Sequence, residues 1–189
     1  VAAACNHVPA LQALAQAGAD VHAGDGGNNT PLHMAAGLDS LECLQDLIRL
    51  GAIINVRGHT GTTPLHSAAG TGATACVKEL LAAGADMEAV AAHNARPLHV
   101  AAAGGRLEAL CALIEAGADL HATAEHQQTA LHFAAAAGCV EVALALMAAG
   151  ADLEVATTQP CESKTPIQIA AAVGDTAMVS ALAAAGANI

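Results

Sequence analysis

Histidine is the residue of this chain with the widest chemical range, and the sequence holds ten of them. Imidazole serves as a general base, as a proton shuttle and as the commonest metal ligand. The usual catalytic contexts are missing, because there is no His-Glu-x-x-His, no Gly-x-Ser-x-Gly and no Gly-Lys-Ser/Thr after Gly70-Thr71-Gly72. The carboxylates are spread along the chain rather than gathered in acid–base pairs. We therefore expect a chain that is not an enzyme and that has no cofactor and no metal site.

Four of the histidines recur in step, each at the end of a tetrapeptide. The spacing is 33 residues, and a fifth copy that ends in glutamine follows after 36. The copies are Thr30-Pro31-Leu32-His33, Thr63-Pro64-Leu65-His66, Arg96-Pro97-Leu98-His99, Thr129-Ala130-Leu131-His132 and Thr165-Pro166-Ile167-Gln168. A Gly-Ala marker keeps the same phase, at Gly18, Gly51, Gly84, Gly117, Gly150 and Gly186. Repetition on this scale indicates an array of similar units.

Each tetrapeptide carries a helix start signal. Threonine is a preferred N-cap residue, and proline fits the first helical position, where no amide donor is missed. A second helix is predicted between Leu41 and Leu50, because apolar residues recur there at three- and four-residue spacing. It ends at Gly51, which is free to adopt the left-handed conformation after a helix. These signals thus predict that each unit consists of a short helix, a turn, a longer helix and an extended finger.

This pattern resembles the ankyrin repeat, which has a T-P-L-H-x-A start and a G-A-D end. The resemblance covers the whole chain and implies an all-α solenoid of stacked helix-turn-helix units with β-hairpin-like fingers. We divide residues 1–189 into one array of six units, 1–29, 30–62, 63–95, 96–128, 129–164 and 165–189. The first unit lacks its opening motif, so we expect a fragment of a longer protein. Short helices with an apolar stripe must stack to fold.

The resemblance also assigns roles to several histidines and asparagines. The motif histidines are expected to be structural, with imidazoles bonded to the backbone between adjacent fingers. In related proteins the position of Asn55 can be hydroxylated, and His22 and His121 replace that asparagine here. Whether any of the three is modified stays open.

Partners of the family usually dock on a concave face made by the fingers and the exposed side of the first helices. Small residues such as Gly37, Gly70 and Ala103 give this chain a smooth floor. His93 and His126 are equivalent fingertip residues about 10 Å apart, too far to converge on one zinc with bonds near 2 Å. We expect them to line the mouth of the groove instead. The candidate partner-binding residues are Arg57, His59, His93, Glu125, His126, Gln128, Leu38 and Thr71.

The predicted function is that of a non-catalytic scaffold for protein–protein interaction. The alternatives are a targeting or regulatory arm of a larger enzyme or channel and a purely structural spacer. A net charge of −11 with six basic residues weighs against nucleic acid. Acidic residues on the second helices indicate a solvated outer face, or else a contact for a basic partner. No apolar run is long enough to span a bilayer, so we expect no membrane insertion. We also expect the array to be monomeric.

Six cysteines raise the question of disulfides. Cys43 and Cys76 hold equivalent places on neighbouring second helices, about 8 to 10 Å apart, which exceeds the reach of a disulfide. There is no C-x-x-C pair. We therefore expect free thiols, mostly buried, in a reducing cytoplasmic compartment.

Departures from the pattern are either local specialisations or, as for the insertion in the last finger, tolerated variation. Arg96 replaces the capping threonine, Ala130 the proline and Gln168 the histidine, and each should weaken its own junction by about 1 kcal/mol or less. The last finger has three extra residues near Cys161. Insertions in repeat arrays map to loops, often on the binding face.

Overall fold

The computed structural model describes residues 7–158 and 163–188. Eleven α-helices lie in these ranges, and no residue within them forms a β-strand. The helices are α1 (Val8–Gln16), α2 (Pro31–Gly37), α3 (Leu41–Arg49), α4 (Pro64–Thr71), α5 (Thr74–Ala82), α6 (Pro97–Ala103), α7 (Leu107–Glu115), α8 (Ala130–Ala137), α9 (Val140–Ala148), α10 (Pro166–Val173) and α11 (Thr176–Ala184). The predicted all-α repeat architecture is confirmed.

The helices form two layers. The first helices of the repeats, α2, α4, α6, α8 and α10, pack on one another in chain order. The second helices, α1, α3, α5, α7, α9 and α11, form the other layer in the same way. Each first helix from α2 onward also packs on the second helix of its own repeat. Helices of nine residues or fewer are marginal alone, so these contacts make the array fold.

One continuous apolar core runs between the two layers. Its largest fully buried side chains are mostly leucines, each less than 2 % exposed: Leu32, Leu44, Leu47, Leu65, Leu80, Leu110, Leu113, Leu131, Leu146 and Leu182. Alanines fill the positions where first helices approach each other, and Ala35, Ala68, Ala101, Ala134 and Ala170 are fully buried. Small side chains there permit close stacking.

The motif histidines join each helix start to the following finger. The backbone N–H of Thr63 donates to His66 Nδ1 at 3.2 Å, and the threonine hydroxyl oxygen lies 2.9 Å from the same nitrogen. Because Nδ1 accepts, Nε2 carries the proton and donates to the carbonyl of Ala95 at 3.1 Å. The same two-sided contact occurs at His33, His99 and His132. The structural role implied by the family resemblance is what the geometry shows.

The repeats in which Arg96, Ala130 and Gln168 depart from the motif keep this contact wholly or in part. The backbone N–H of Arg96 still donates to His99 Nδ1 at 3.1 Å, and the Arg96 Nε atom lies 3.1 Å from Glu88 Oε2. Helix α8 begins at Ala130 without a proline. In the last repeat the N–H of Thr165 donates to Gln168 Oε1 at 3.1 Å, so glutamine supplies the acceptor that histidine supplies elsewhere.

The second helices end as predicted. Helix α3 stops at Arg49, and Gly51 has a φ of 83°, a left-handed conformation that glycine adopts without steric cost. A short loop then leads into the finger. Within the described ranges no helix is long and apolar enough to cross a membrane.

Cys43 and Cys76 are free and fully buried, whereas Cys111 and Cys139 are free and half-buried. Burial raises the pKa of both buried thiols, that of Cys76 to about 12, with Asp39 adding to the effect. Cys5 and Cys161 lie outside the described residues.

We expect iodoacetamide at neutral pH to label Cys111 and Cys139 in the folded protein, because thiolate and access are both required. Cys43 and Cys76 should become labelled only in denaturant, as peptide mass spectrometry would show. Labelling of Cys76 at the rate of Cys111 in the native protein would contradict its burial.

Candidate binding surface

The fingers are tight turns rather than regular strands. In the third finger His93 has φ 56° and ψ 27° and Asn94 has φ 55°, and the N–H of Ala95 donates to Ala92 O at 3.2 Å. His126 and Gln127 have the same left-handed conformation in the fourth finger. Two successive positive φ angles define the type I′ hairpin turn. The turn directs both histidine side chains outward from the finger ends, where they are exposed.

Neighbouring fingers are linked by backbone bonds, with one exception. The N–H groups of His59, Ala92 and Thr158 donate to the carbonyls of the preceding finger at 2.8 to 2.9 Å. The equivalent bond from Glu125 to His93 does not occur in the described structure. A side-chain contact replaces it, because His93 Nδ1 lies 2.5 Å from Glu125 Oε2.

Glu125 connects the two fingertip histidines. Its second oxygen, Oε1, lies 3.9 Å from His126 Nε2. The hydrogen bond from His93 is the main reason that the pKa of Glu125 is lowered, and both imidazoles favour the charged carboxylate further. We call His93, Glu125 and His126 the fingertip cluster. No group of three or more residues in the described ranges is arranged to hold a metal ion.

The other predicted finger residues are held in different ways. Arg57 Nη1 donates to Val90 O at 2.7 Å and so ties the second finger to the third. The His59 side chain is exposed. Gln128 is half-buried, and its backbone closes the fourth finger by accepting from Ala124 at 2.8 Å.

Leu38 and Thr71 lie at the ends of first helices, as predicted for the floor. Leu38 is 54 % exposed. Thr71 is exposed too, but its hydroxyl donates back to Ser67 O at 3.1 Å within its own helix.

Sequence reasoning missed a second set of floor residues, each of which directly follows the last residue of a motif tetrapeptide. Met34 is 36 % exposed, and its equivalents in the later repeats are half-buried. Each lies four residues before Leu38, Thr71 or an equivalent of these two in a later repeat, so both sets lie on the same helix face. We call them together the inner stripe: Met34, Leu38, Ser67, Thr71, Val100, Gly104, Phe133, Ala137, Ile169 and Val173. Phe133 is half-buried, and its ring meets the ring of His99 edge-on at a centroid distance of 5.5 Å.

The position of Asn55 serves the packing of repeats. Asn55 Oδ1 accepts from the N–H of Asp86 at 2.9 Å, and Nδ2 donates to Gly84 O at 3.3 Å. Glu88 and Glu154, one and three repeats later, accept from the next repeat in the same way. These polar groups link adjacent units at the base of the fingers.

The family model for ankyrin repeats (3 copies) matches residues 1–91, 41–124 and 98–189, which together span the chain. The crystal structure of the human ASB11 ankyrin repeat domain is similar, with 27 % sequence identity and a TM-score of 0.87 over 99 % of this chain and 82 % of that one. Altogether 566 chains of solved structures match, so the fold alone selects no partner. Among curated protein sequences no relative matches. Ankyrin repeats are generally protein–protein interaction modules and typically non-catalytic. With its full length matched by the family model, this chain belongs to the ankyrin-repeat family.

Proposed function

We propose that the chain is a non-catalytic scaffold that binds a partner protein through a concave surface formed by the fingers and the inner stripe. The observation that carries this proposal is the exposure of large apolar side chains in that stripe. Met34 and Leu38, four residues apart on one face of helix α2 and its C-cap, are 36 % and 54 % exposed, and Val173 at the end of α10 is 61 % exposed. Exposed large apolar side chains that are grouped on one face, rather than scattered singly, are typical of interaction sites.

The other exposed large apolar residues are distributed differently. They are Leu14, Leu50, Ile53 and Leu144, and they lie on second helices or on the loops that follow them. No two of them share a helix. Single exposed apolar residues are common on any protein surface. The inner stripe is therefore the better candidate for a docking surface.

The composition of the stripe bears on how a partner would bind. The chain has no tryptophan or tyrosine and one phenylalanine, although hot spots usually include such residues. A floor that contains Thr71, Gly104 and Ala137 can receive large side chains. The partner therefore supplies the anchors. The buried free thiols suit a reducing compartment, and we place the chain in the cytoplasm as a monomeric array.

The test compares stripe and outer-layer variants. In the stripe variant, Leu38, Ala137 and Val173 are changed to glutamine, which removes apolar surface without adding charge. In the outer variant, Glu108 and Glu141 are changed to lysine. All five positions are exposed, so both variants should melt near the wild-type temperature. Proteins captured from a cell lysate are identified, purified and titrated against each variant by calorimetry.

We expect the stripe variant to bind the purified partner roughly tenfold or more weakly, which corresponds to about 1.4 kcal/mol. The outer variant should bind within about twofold of wild type, because Glu108 and Glu141 lie on second helices and not on the concave surface. Loss of binding in the outer variant alone would show that the partner uses the second helices, and the concave-surface proposal would then be abandoned.

A further inference from the structure

Most of the basic residues of this chain contact other groups of the same chain. The sequence has six of them against 17 acidic residues. Five make intramolecular contacts: Arg49 with Asp46, Arg57 with Val90 O, Arg96 with Glu88, Arg106 with Gly70 O, and Lys164 within its own surroundings. The sixth, Lys78, is exposed on the second helix α5. The surface thus remains strongly acidic, and a cationic partner is the one that its field attracts.

Most carboxylates near the fingers are already engaged with the backbone of the chain. The aspartates that begin fingers accept the N–H two residues on, and Glu88 and Glu154 accept from the following repeat. These residues are Asp20, Asp86, Asp119, Asp152, Glu88 and Glu154. Asp25 accepts two backbone N–H groups of its own finger. The four aspartates lie where the fingers begin, and Glu88 and Glu154 lie at the base of the fingers, so these carboxylates are bonded to the backbone away from the third and fourth fingertips.

Glu125 differs from these carboxylates because its described contacts are to side chains. Oε2 is bonded to His93 at 2.5 Å, while Oε1 is 3.9 Å from His126, beyond hydrogen-bond length. The side chain is 48 % exposed. His93 thus fixes the orientation of the carboxylate and leaves its second oxygen accessible to a donor from outside. A guanidinium or ammonium group is the donor that matches such an oxygen.

Glu125 is also close in sequence to residues of the inner stripe. The fourth finger runs directly into helix α8, and Phe133 follows Glu125 by eight residues. Phe133 and Ala137 belong to the inner stripe, and Val100 is the equivalent of Phe133 in the preceding repeat. A carboxylate at the fingertip and an apolar floor in the same two repeats select a segment that has both a cation and a large apolar side chain.

We propose that the concave surface recognises a basic peptide segment of its partner, with an arginine or lysine paired to Glu125 in the fingertip cluster and a large apolar residue on the inner stripe near Phe133. This inference rests on the proposed function and names the chemistry of its partner. His93 is a positioning residue, since it acts on the partner through Glu125. An acidic partner segment would instead meet the carboxylate and the net charge of −11 with repulsion.

The probe is a phage library of random dodecapeptides, selected against the whole chain at physiological salt. We expect the selected peptides to be enriched in arginine or lysine beside an apolar residue. Binding of the best synthetic peptide, measured by fluorescence anisotropy, should fall roughly tenfold with Glu125→Gln. It should fall less with His93→Ala. The matched control Glu108→Gln, an exposed carboxylate on helix α7, should leave binding unchanged.

The outcomes separate this inference from the proposed function. Neutral or acidic peptides that lose binding in the stripe variant would overturn the basic-partner inference and leave the concave scaffold standing. Peptides that bind the stripe variant as well as wild type would overturn the proposed function itself. A library that yields no peptide dependent on Glu125 also overturns the inference. Restored binding of a Glu-substituted peptide to Glu125→Arg would support the ion pair by charge reversal.

Discussion

Leu65→Ala should lower the free energy of unfolding by about 2 to 5 kcal/mol, as large-to-small changes in packed cores do. Leu65 is 1 % exposed and sits in helix α4, which packs on α2, α5 and α6. The substitution therefore removes apolar contacts within the second full repeat, at the centre of the stacking interfaces on either side. Stability in a repeat array is approximately a sum of unit and interface terms, so a loss there weakens both interfaces at once.

Urea denaturation followed by far-UV circular dichroism measures this effect. Glu108→Ala is the control, because Glu108 is exposed in the first turn of α7 and should contribute at most a few tenths of a kcal/mol through the helix dipole. Equal denaturation midpoints for the two variants would mean that the assignment of inward and outward positions is wrong.

The periodic residues made the fold predictable. Threonine and proline set the helix starts and glycine the ends, and these signals depend on local backbone chemistry that one repeat already contains. The predicted second helix between Leu41 and Leu50 is observed from Leu41 to Arg49. The structural role of the motif histidines followed from the family resemblance, and their bonds to the next finger agree with it.

The details of the candidate site were harder to predict. The type I′ turns contain His93-Asn94 and His126-Gln127, not the Asn-Gly or Asp-Gly pairs that usually announce them. The link between His93 and Glu125 depends on side-chain rotamers and on how one finger lies on the next, which no single repeat specifies. The row from Met34 to Ile169 does carry a signal, since it keeps a constant phase after the motif and varies in side-chain size. The binding roles of Arg57, His59 and Gln128 stay predictions.

Mild acid should destabilise the array through its motif histidines. Burial lowers the pKa of His33, His66, His99 and His132, that of His99 to about 4. Each is at most 3 % exposed and bonded at both ring nitrogens. Protonation would put a hydrogen on Nδ1, which must accept the backbone N–H of the residue that caps the helix.

Stability depends on pH here because the folded and unfolded states bind protons at different pH values. Unfolded imidazoles take up protons below a pH of about 6.5, whereas the folded ones stay neutral until the pH approaches their lowered pKa. The stability is therefore fully present above a pH of about 6.5 and is lost as the pH falls from there toward the lowered pKa of each imidazole, which is about 4 for His99. For His99 alone the loss at pH 5 is about 2 kcal/mol. The pKa values of Glu125 and Asp25 are also lowered, but those carboxylates lose their stabilising effect in a more acidic range.

The measurement is the urea midpoint between pH 7.5 and 5, for wild type and for His99→Gln. Glutamine at the equivalent position 168 already accepts the capping N–H, so the variant should keep that bond without a titrating group. We expect a smaller decrease in midpoint on acidification for His99→Gln than for wild type. The free energy of unfolding of His99→Ala should be lower than that of wild type at every pH by about 1 to 3 kcal/mol. The reason is that the N–H of Arg96 and the carbonyl of Ala122 lose their partner. A wild-type midpoint that does not change over this range would show that the imidazoles accept protons without breaking their bonds, and the structural role of the neutral tautomer would have to be given up.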